Sequence, residues 1–197
     1  MKIILLHGLY MHSVVMLPLE KRLQRAGHEV LNLGYKTIAP DLKEMFDAID
    51  DFIDGDDAAI VAHSMGGVMT RTYLEHNSAM SHHVKTVVTL GTPHTGSQVA
   101  EFFRKLGVGD VMFDQATQYL MPDELPRWSS SAELYSLAGD LSIGPATILL
   151  HGQPSDGTVL LEETKIEGMT SHEIFPLTHT ALIFADSVSD RVIEILS

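Results

Sequence analysis

Short apolar runs and helical stripes alternate along this chain, each bounded by residues that turn or stop a backbone. Ile3-Ile4-Leu5-Leu6 is uninterrupted, as expected of a strand buried on both faces, and His7-Gly8 ends it. Residues 15–26 repeat at helical spacing, with Val15, Leu19, Leu23 and Ala26 on one face. Pro18 fits only a first turn there, and Gly27 suits the stop. Residues 28–33 read as a second strand. Asp41 and Glu44 then have capping-box spacing ahead of an apolar stripe of Leu42, Met45, Ile49 and Phe52. Residues 58–62 give a third strand, 65–76 a helix and 84–90 a fourth strand.

Four apolar strands separated by helices predict an α/β protein: a compact, mostly parallel sheet with helices on both faces. Residues 133–138 and 172–177 read as the last strands and 187–196 as a closing helix, so one domain is expected over residues 1–197. The rhythm breaks between 107 and 131, where Gly, Pro and a Ser run are mixed with Met112, Phe113, Tyr119, Leu120, Met121 and Trp128. That stretch is expected to be an insertion over the carboxyl edge of the sheet. A lid or acyl-chain pocket and a solvated loop with apolar anchors are both open readings.

Composition narrows the function classes. A net charge of -13 argues against a nucleic-acid partner, since an acidic surface repels phosphates. The chain has no cysteine, which excludes disulfides, thiolate metal sites and a cysteine nucleophile. The N-terminal apolar run stops after four residues, whereas a secretory signal needs roughly 7–15. No apolar run approaches the roughly 20 residues of a membrane span. A cytoplasmic protein without an integral membrane segment is expected.

The chemistry concentrates at Ala58-Ala59-Ile60-Val61-Ala62-His63-Ser64-Met65-Gly66-Gly67. A buried strand enters a tight turn with small residues two before and two after a serine, and a helix follows. Such an elbow lifts the hydroxyl above the sheet and aims the helix N-terminus at it. The first small residue is alanine instead of glycine, a change that adds only modest bulk. A helix-capping serine is the plain alternative.

With His7-Gly8-Leu9-Tyr10 after the first strand, the elbow at Ser64 and Leu90-Gly91-Thr92-Pro93-His94-Thr95-Gly96-Ser97, the chain resembles the α/β-hydrolase lipases and esterases. It is similar in particular to small bacterial lipase-like proteins, some of which also have alanine at the first elbow position. The resemblance extends through Ser155-Asp156-Gly157-Thr158-Val159 to His179-Thr180. It implies Ser64 as nucleophile, Asp156 as the acid and His179 as the base, in the family order. Asp140 is the rival acid, and His94 and His151 are rival bases. His63 is expected to point away from the hydroxyl, and His7 to brace its own loop. The resemblance also implies an oxyanion hole from the Leu9 and Met65 amides, with Tyr10, His94, Met112 and Phe113 as candidate pocket residues. No cofactor or metal is required. The implied activity is hydrolysis of a small-molecule acyl ester. A thioesterase, amide deacylase or acyltransferase would use the same triad, and a non-catalytic binding protein is the alternative of a different class.

Overall fold

The computed structural model describes residues 1–76, 79–97, 127–143 and 152–197. Six strands form one sheet: β1 (Lys2–Leu6), β2 (Glu29–Leu33), β3 (Ala58–His63), β4 (Val84–Leu90), β5 (Glu133–Gly139) and β6 (Ser171–Phe175). Their spatial order is β2-β1-β3-β4-β5-β6, and every neighbouring pair is parallel. The described helices are α1 (Leu17–Arg25), α2 (Leu42–Ile53), α3 (Met65–Glu75), α4 (Ala181–Phe184) and α5 (Asp186–Ile195).

Side-chain alternation along the central strands divides the core into two layers. Ile3 and Leu5 of β1 join Ala59 and Val61 of β3 on one face, where α1 contributes Leu19 and Leu23 and α5 contributes Val188 and Val192. Ile4, Leu6, Ile60 and Ala62 point to the other face, against Met45, Phe46, Ile49 and Ile53 of α2 and Met69 and Tyr73 of α3. The chain therefore reverses direction across the sheet at β1. It goes outward to β2 under one layer and returns past β1 to β3 under the other. Loops leaving β1 and β3 part to opposite faces there, which opens a crevice at the carboxyl ends of the two strands.

The central strands and helices lie close to their expected bounds, and the differences are local. β2 is an edge strand and only partly buried, not a fully buried run. Ser13–Met16 is a 3-10 turn, so the regular helix begins at Leu17, with Pro18 in its first turn. β6 ends at Phe175 because the Leu177 N–H turns back to the Phe175 carbonyl at 2.7 Å. Of the expected insertion, residues 107–126, with Met112 and Phe113, lie outside the described residues. Its end is anchored: Trp128 is buried in the core, and its indole Nε1–H donates to the Ala132 carbonyl at 2.7 Å.

α2 starts as the sequence suggests, with the Asp41 carboxylate accepting the Glu44 N–H at 3.0 Å. This satisfies one of the amides that a helix start leaves without an intrahelical acceptor. Asp41→Ala is expected to lower stability by about 1 kcal/mol. Urea denaturation should show an earlier midpoint at an unchanged slope; an unmoved midpoint would mean that the cap contributes nothing.

Candidate active site

Ser64 stands between the last residue of β3 and the first of α3, at φ 53° and ψ -123°. A side chain at positive φ costs roughly 1–3 kcal/mol and persists only where its surroundings impose it. Here the end of β4 and the turn after it impose it from both ends of the residue. The Ser64 N–H donates to the Leu90 carbonyl at 2.9 Å, and the Thr92 hydroxyl donates to the Ser64 carbonyl at 2.9 Å. The start of α3 then lies directly on β1: a Cβ at position 66 would sit 2.5 Å from the Leu6 carbonyl oxygen. Only glycine permits that approach.

The loop after β1 passes over the elbow. A Cβ on Gly8 would lie 2.9 Å from His63 Nδ1 and 3.1 Å from the Ser64 Cβ. Leu9 follows directly, and Tyr10 takes φ 58° with its N–H on the Thr37 hydroxyl at 3.1 Å. His7 does brace this loop. Its ring stacks on Tyr35 at 4.5 Å between centroids and its Nδ1–H reaches the Gly8 carbonyl at 3.1 Å. Met65 opens α3, so its amide has no acceptor within the helix.

Asp156 and His179 meet against Gly91, the residue after the Leu90 carbonyl that holds Ser64. Asp156 is 1% exposed and His179 7%. Asp156 Oδ2 lies 2.6 Å from His179 Nδ1. Oδ1 accepts the amides of Thr158 at 3.0 Å and Val159 at 2.8 Å, which fixes the carboxylate plane. The His179 N–H also donates to the Asp156 carbonyl at 2.9 Å, so two bonds join the residues. Gly91, beside the β4 carbonyl that holds Ser64, makes room for the pair. A Cβ there would meet Asp156 Oδ2 and His179 Nδ1, each at 3.0 Å. Asp140 is exposed at the end of β5.

His63 is completely buried. Its Nε2 lies 3.1 Å from the His179 carbonyl oxygen, and the two rings are 4.7 Å apart at 51°. Burial first, then the charge His179 can carry, holds this imidazole well below its ordinary value. His94 is also buried, with Nε2 3.0 Å from the Thr89 hydroxyl. Burial, followed by the nearby charges of Arg71 and His172, pushes it down to about 3. His151 lies outside the described residues. A groove of about 960 Å³ runs from Tyr10 and Met11 past Tyr35 and Ile38 to Met45. Tyr10, 53% exposed, forms its wall nearest Leu9, and His94 does not line it. Among the described residues, no group of three or more His, Asp or Glu side chains could hold a metal ion.

Two features of the site had weak signals or none in the sequence. Thr92 belongs to the quoted Gly-Thr-Pro stretch, but its grip on the Ser64 carbonyl has no motif. The His63 contact with His179 joins residues 116 positions apart and leaves no local trace.

A sequence model for the PGAP1-like alpha/beta domain matches residues 43–109, which include the elbow. A lipase from Bacillus licheniformis, in its mature form, has a similar structure, with a TM-score of 0.75 and 19% identity over 99% of this chain and 91% of that one. A metagenomic carboxyl esterase gives 0.74 at 17% identity, covering 100% of this chain and 76% of its own. A soluble variant of monoglyceride lipase from Saccharomyces cerevisiae gives 0.63 at 11%, covering 99% and 84%. No curated protein matches the chain by sequence. The chain has the α/β-hydrolase fold.

The buried imidazole of His94 generates a pH prediction. In the unfolded chain it takes a proton near 6.5, whereas in the folded chain it stays neutral down to about 3. The unfolded state therefore binds more protons within that window. This stability is complete above the upper value and is lost on acidification, at up to about 1.4 kcal/mol per pH unit. His94→Gln should flatten the fall in denaturation midpoint by about one proton's worth relative to the parent. Equal slopes would show that His94 is charged in the folded protein.

Proposed function

We propose that the chain is a serine hydrolase of carboxylic esters, with Ser64 as nucleophile, His179 as base and Asp156 as the acid that orients it. The observation that carries this reading is the pairing of a buried Asp156–His179 hydrogen bond with a serine held at positive φ, directly after the His63 that bonds the His179 carbonyl. The fold shared with lipases and esterases supports the same class of reaction.

The chemistry follows from the hydrogen bonds. Asp156 accepts from His179 Nδ1, which leaves the lone pair on Nε2. Nε2 takes the proton of the Ser64 hydroxyl as Oγ attacks the acyl carbonyl carbon. The carbonyl oxygen becomes an oxyanion, stabilised by the Leu9 and Met65 N–H groups and by the positive end of α3. His179 returns its proton to the alkoxide, which leaves as an alcohol, and an acyl-serine remains. Water, deprotonated by the same imidazole, attacks the acyl-serine; the C–Oγ bond breaks, the imidazolium returns the proton to Ser64 Oγ, and the acid is released. The groove that starts at Tyr10 gives room for part of the ester next to the oxyanion loop.

A fluorophosphonate, which phosphonylates activated serines, should label the wild type at Ser64. Ser64→Ala should lose both labelling and ester turnover while keeping its thermal transition. Full turnover in the folded variant would sink the mechanism.

The acid assignment is tested by comparing two neutral replacements. Asp156→Asn should reduce kcat by roughly 10⁴ through loss of the orienting acceptor. Asp140→Asn, at an exposed position, should stay within about twofold of wild type. The opposite ranking would move the acid to Asp140.

A further inference from the structure

His63 does none of the chemistry above, yet it touches the base and is bonded in sequence to the nucleophile. We infer that His63 is a positioning residue: its Nε2–H bond to the His179 carbonyl sets where the His179 imidazole stands relative to Ser64. The inference rests on the reading of Ser64 and His179 as nucleophile and base.

The need for such a residue comes from the sheet order. Ser64 follows β3, whereas His179 follows β6, and β4 and β5 lie between them. At about 4.8 Å per strand, the two strand axes are roughly 14 Å apart. The loop that carries His179 must therefore cross back over two strands to reach the elbow. Asp156 grips His179 from the β5–β6 side, through its carboxylate and its carbonyl. His63 grips it from the β3 side, one residue from Ser64. Any displacement of β3 against the base loop must first break this bond.

The ring has little freedom to act otherwise. A carbonyl can only accept, so Nε2 carries the proton and Nδ1 is a bare lone pair. That Nδ1 is buried without a hydrogen-bond partner, packed where a Gly8 Cβ would come within 2.9 Å. The His179 ring closes the other side. An apolar side chain would fill the slot without leaving a buried nitrogen unpaired, so packing alone does not account for a histidine here. The bond at Nε2 does. The titratable groups facing His63 are His179 across the ring contact, Asp156 behind it and His7 from the β1 loop. Kept neutral by burial, His63 adds no second positive charge when His179 becomes an imidazolium.

The test compares a replacement that keeps the donor with replacements that remove it. Glutamine can place an amide N–H near the position of Nε2; leucine and methionine fill the slot without a donor, and methionine serves if the leucine variant fails to fold. kcat and KM are measured on one p-nitrophenyl short-chain ester. The His179 Nδ1–H proton is followed by NMR in the same proteins. The donorless variants should lose about 10–100-fold in kcat, the scale expected of a displaced reacting group, with KM within about twofold. Their low-field proton should broaden as the ring loosens. His63→Gln should return kcat to within about threefold of wild type and sharpen the signal. Wild-type kcat in a folded donorless variant would overturn the proposal, as would a glutamine variant as slow as the leucine one. Failure of the functional reading looks different: the wild type itself would then lack Ser64-dependent turnover.

Discussion

Where α3 leaves β3, its first turn lies so close to the end of β1 that one methyl group at position 66 would come 2.5 Å from a carbonyl oxygen. That approach sets the arrangement of the whole carboxyl edge. It forces the chain to turn within one residue, which drives Ser64 to positive φ. It also brings the β1 loop across the elbow, so that Gly8 lies over Ser64 and Leu9 follows directly. Position 67 is confined in the same way from the β4 side, where a Cβ would strike the Thr92 hydroxyl at 2.2 Å. Thr92 is thereby held where it can grip the Ser64 carbonyl. The serine is positioned by backbone packing from β1, β3 and β4 together, independently of its own side chain.

Histidine serves two physical purposes in this site. His7, His63 and His94 are all shifted downward by desolvation, and they serve as neutral rings that make one hydrogen bond or stack. His179 differs because a carboxylate faces its Nδ1. A carboxylate stabilises an imidazolium when a proton arrives on the opposite nitrogen, whereas a backbone carbonyl or a threonine hydroxyl does so much less. The identity of the atom opposite each ring therefore sets His179 apart from the other three, and under the proposed mechanism it makes His179 the proton carrier.

The fold was legible wherever one physical signal dominated. β4 spans the expected residues because Val84–Leu90 is rich in β-branched residues (Val84, Thr86, Val87, Val88 and Thr89) between turn signals, and α2 starts at Leu42 because Asp41 caps it. The end of β6 was not legible, because a local turn at Leu177 competes with strand pairing and apolar content does not reveal it. The edge position of β2 depends on which strand neighbours which, and no single segment encodes that. At the site, Ser64, Asp156 and His179 were nominated by motif and order, and the fold brings the last two into contact. His94 shows the limit of such reasoning: its place after β4 suggested a pocket, but its side chain turns in to Thr89. Which way a residue at a strand end faces is decided by packing from other elements.

The backbone at Ser64 has a further consequence for how the molecule can change. Glycine adopts φ 53° and ψ -123° at little cost, whereas any residue with a Cβ is strained there. The substitution that would relax the elbow most is therefore the one that removes the hydroxyl. If Ser64 is the nucleophile as proposed, stability and reactivity are opposed at this one position, and random drift toward a more comfortable fold leads to an inert protein. Compensating gains must then be sought at other positions, such as helix caps and the edge strands, where the backbone carries no comparable obligation.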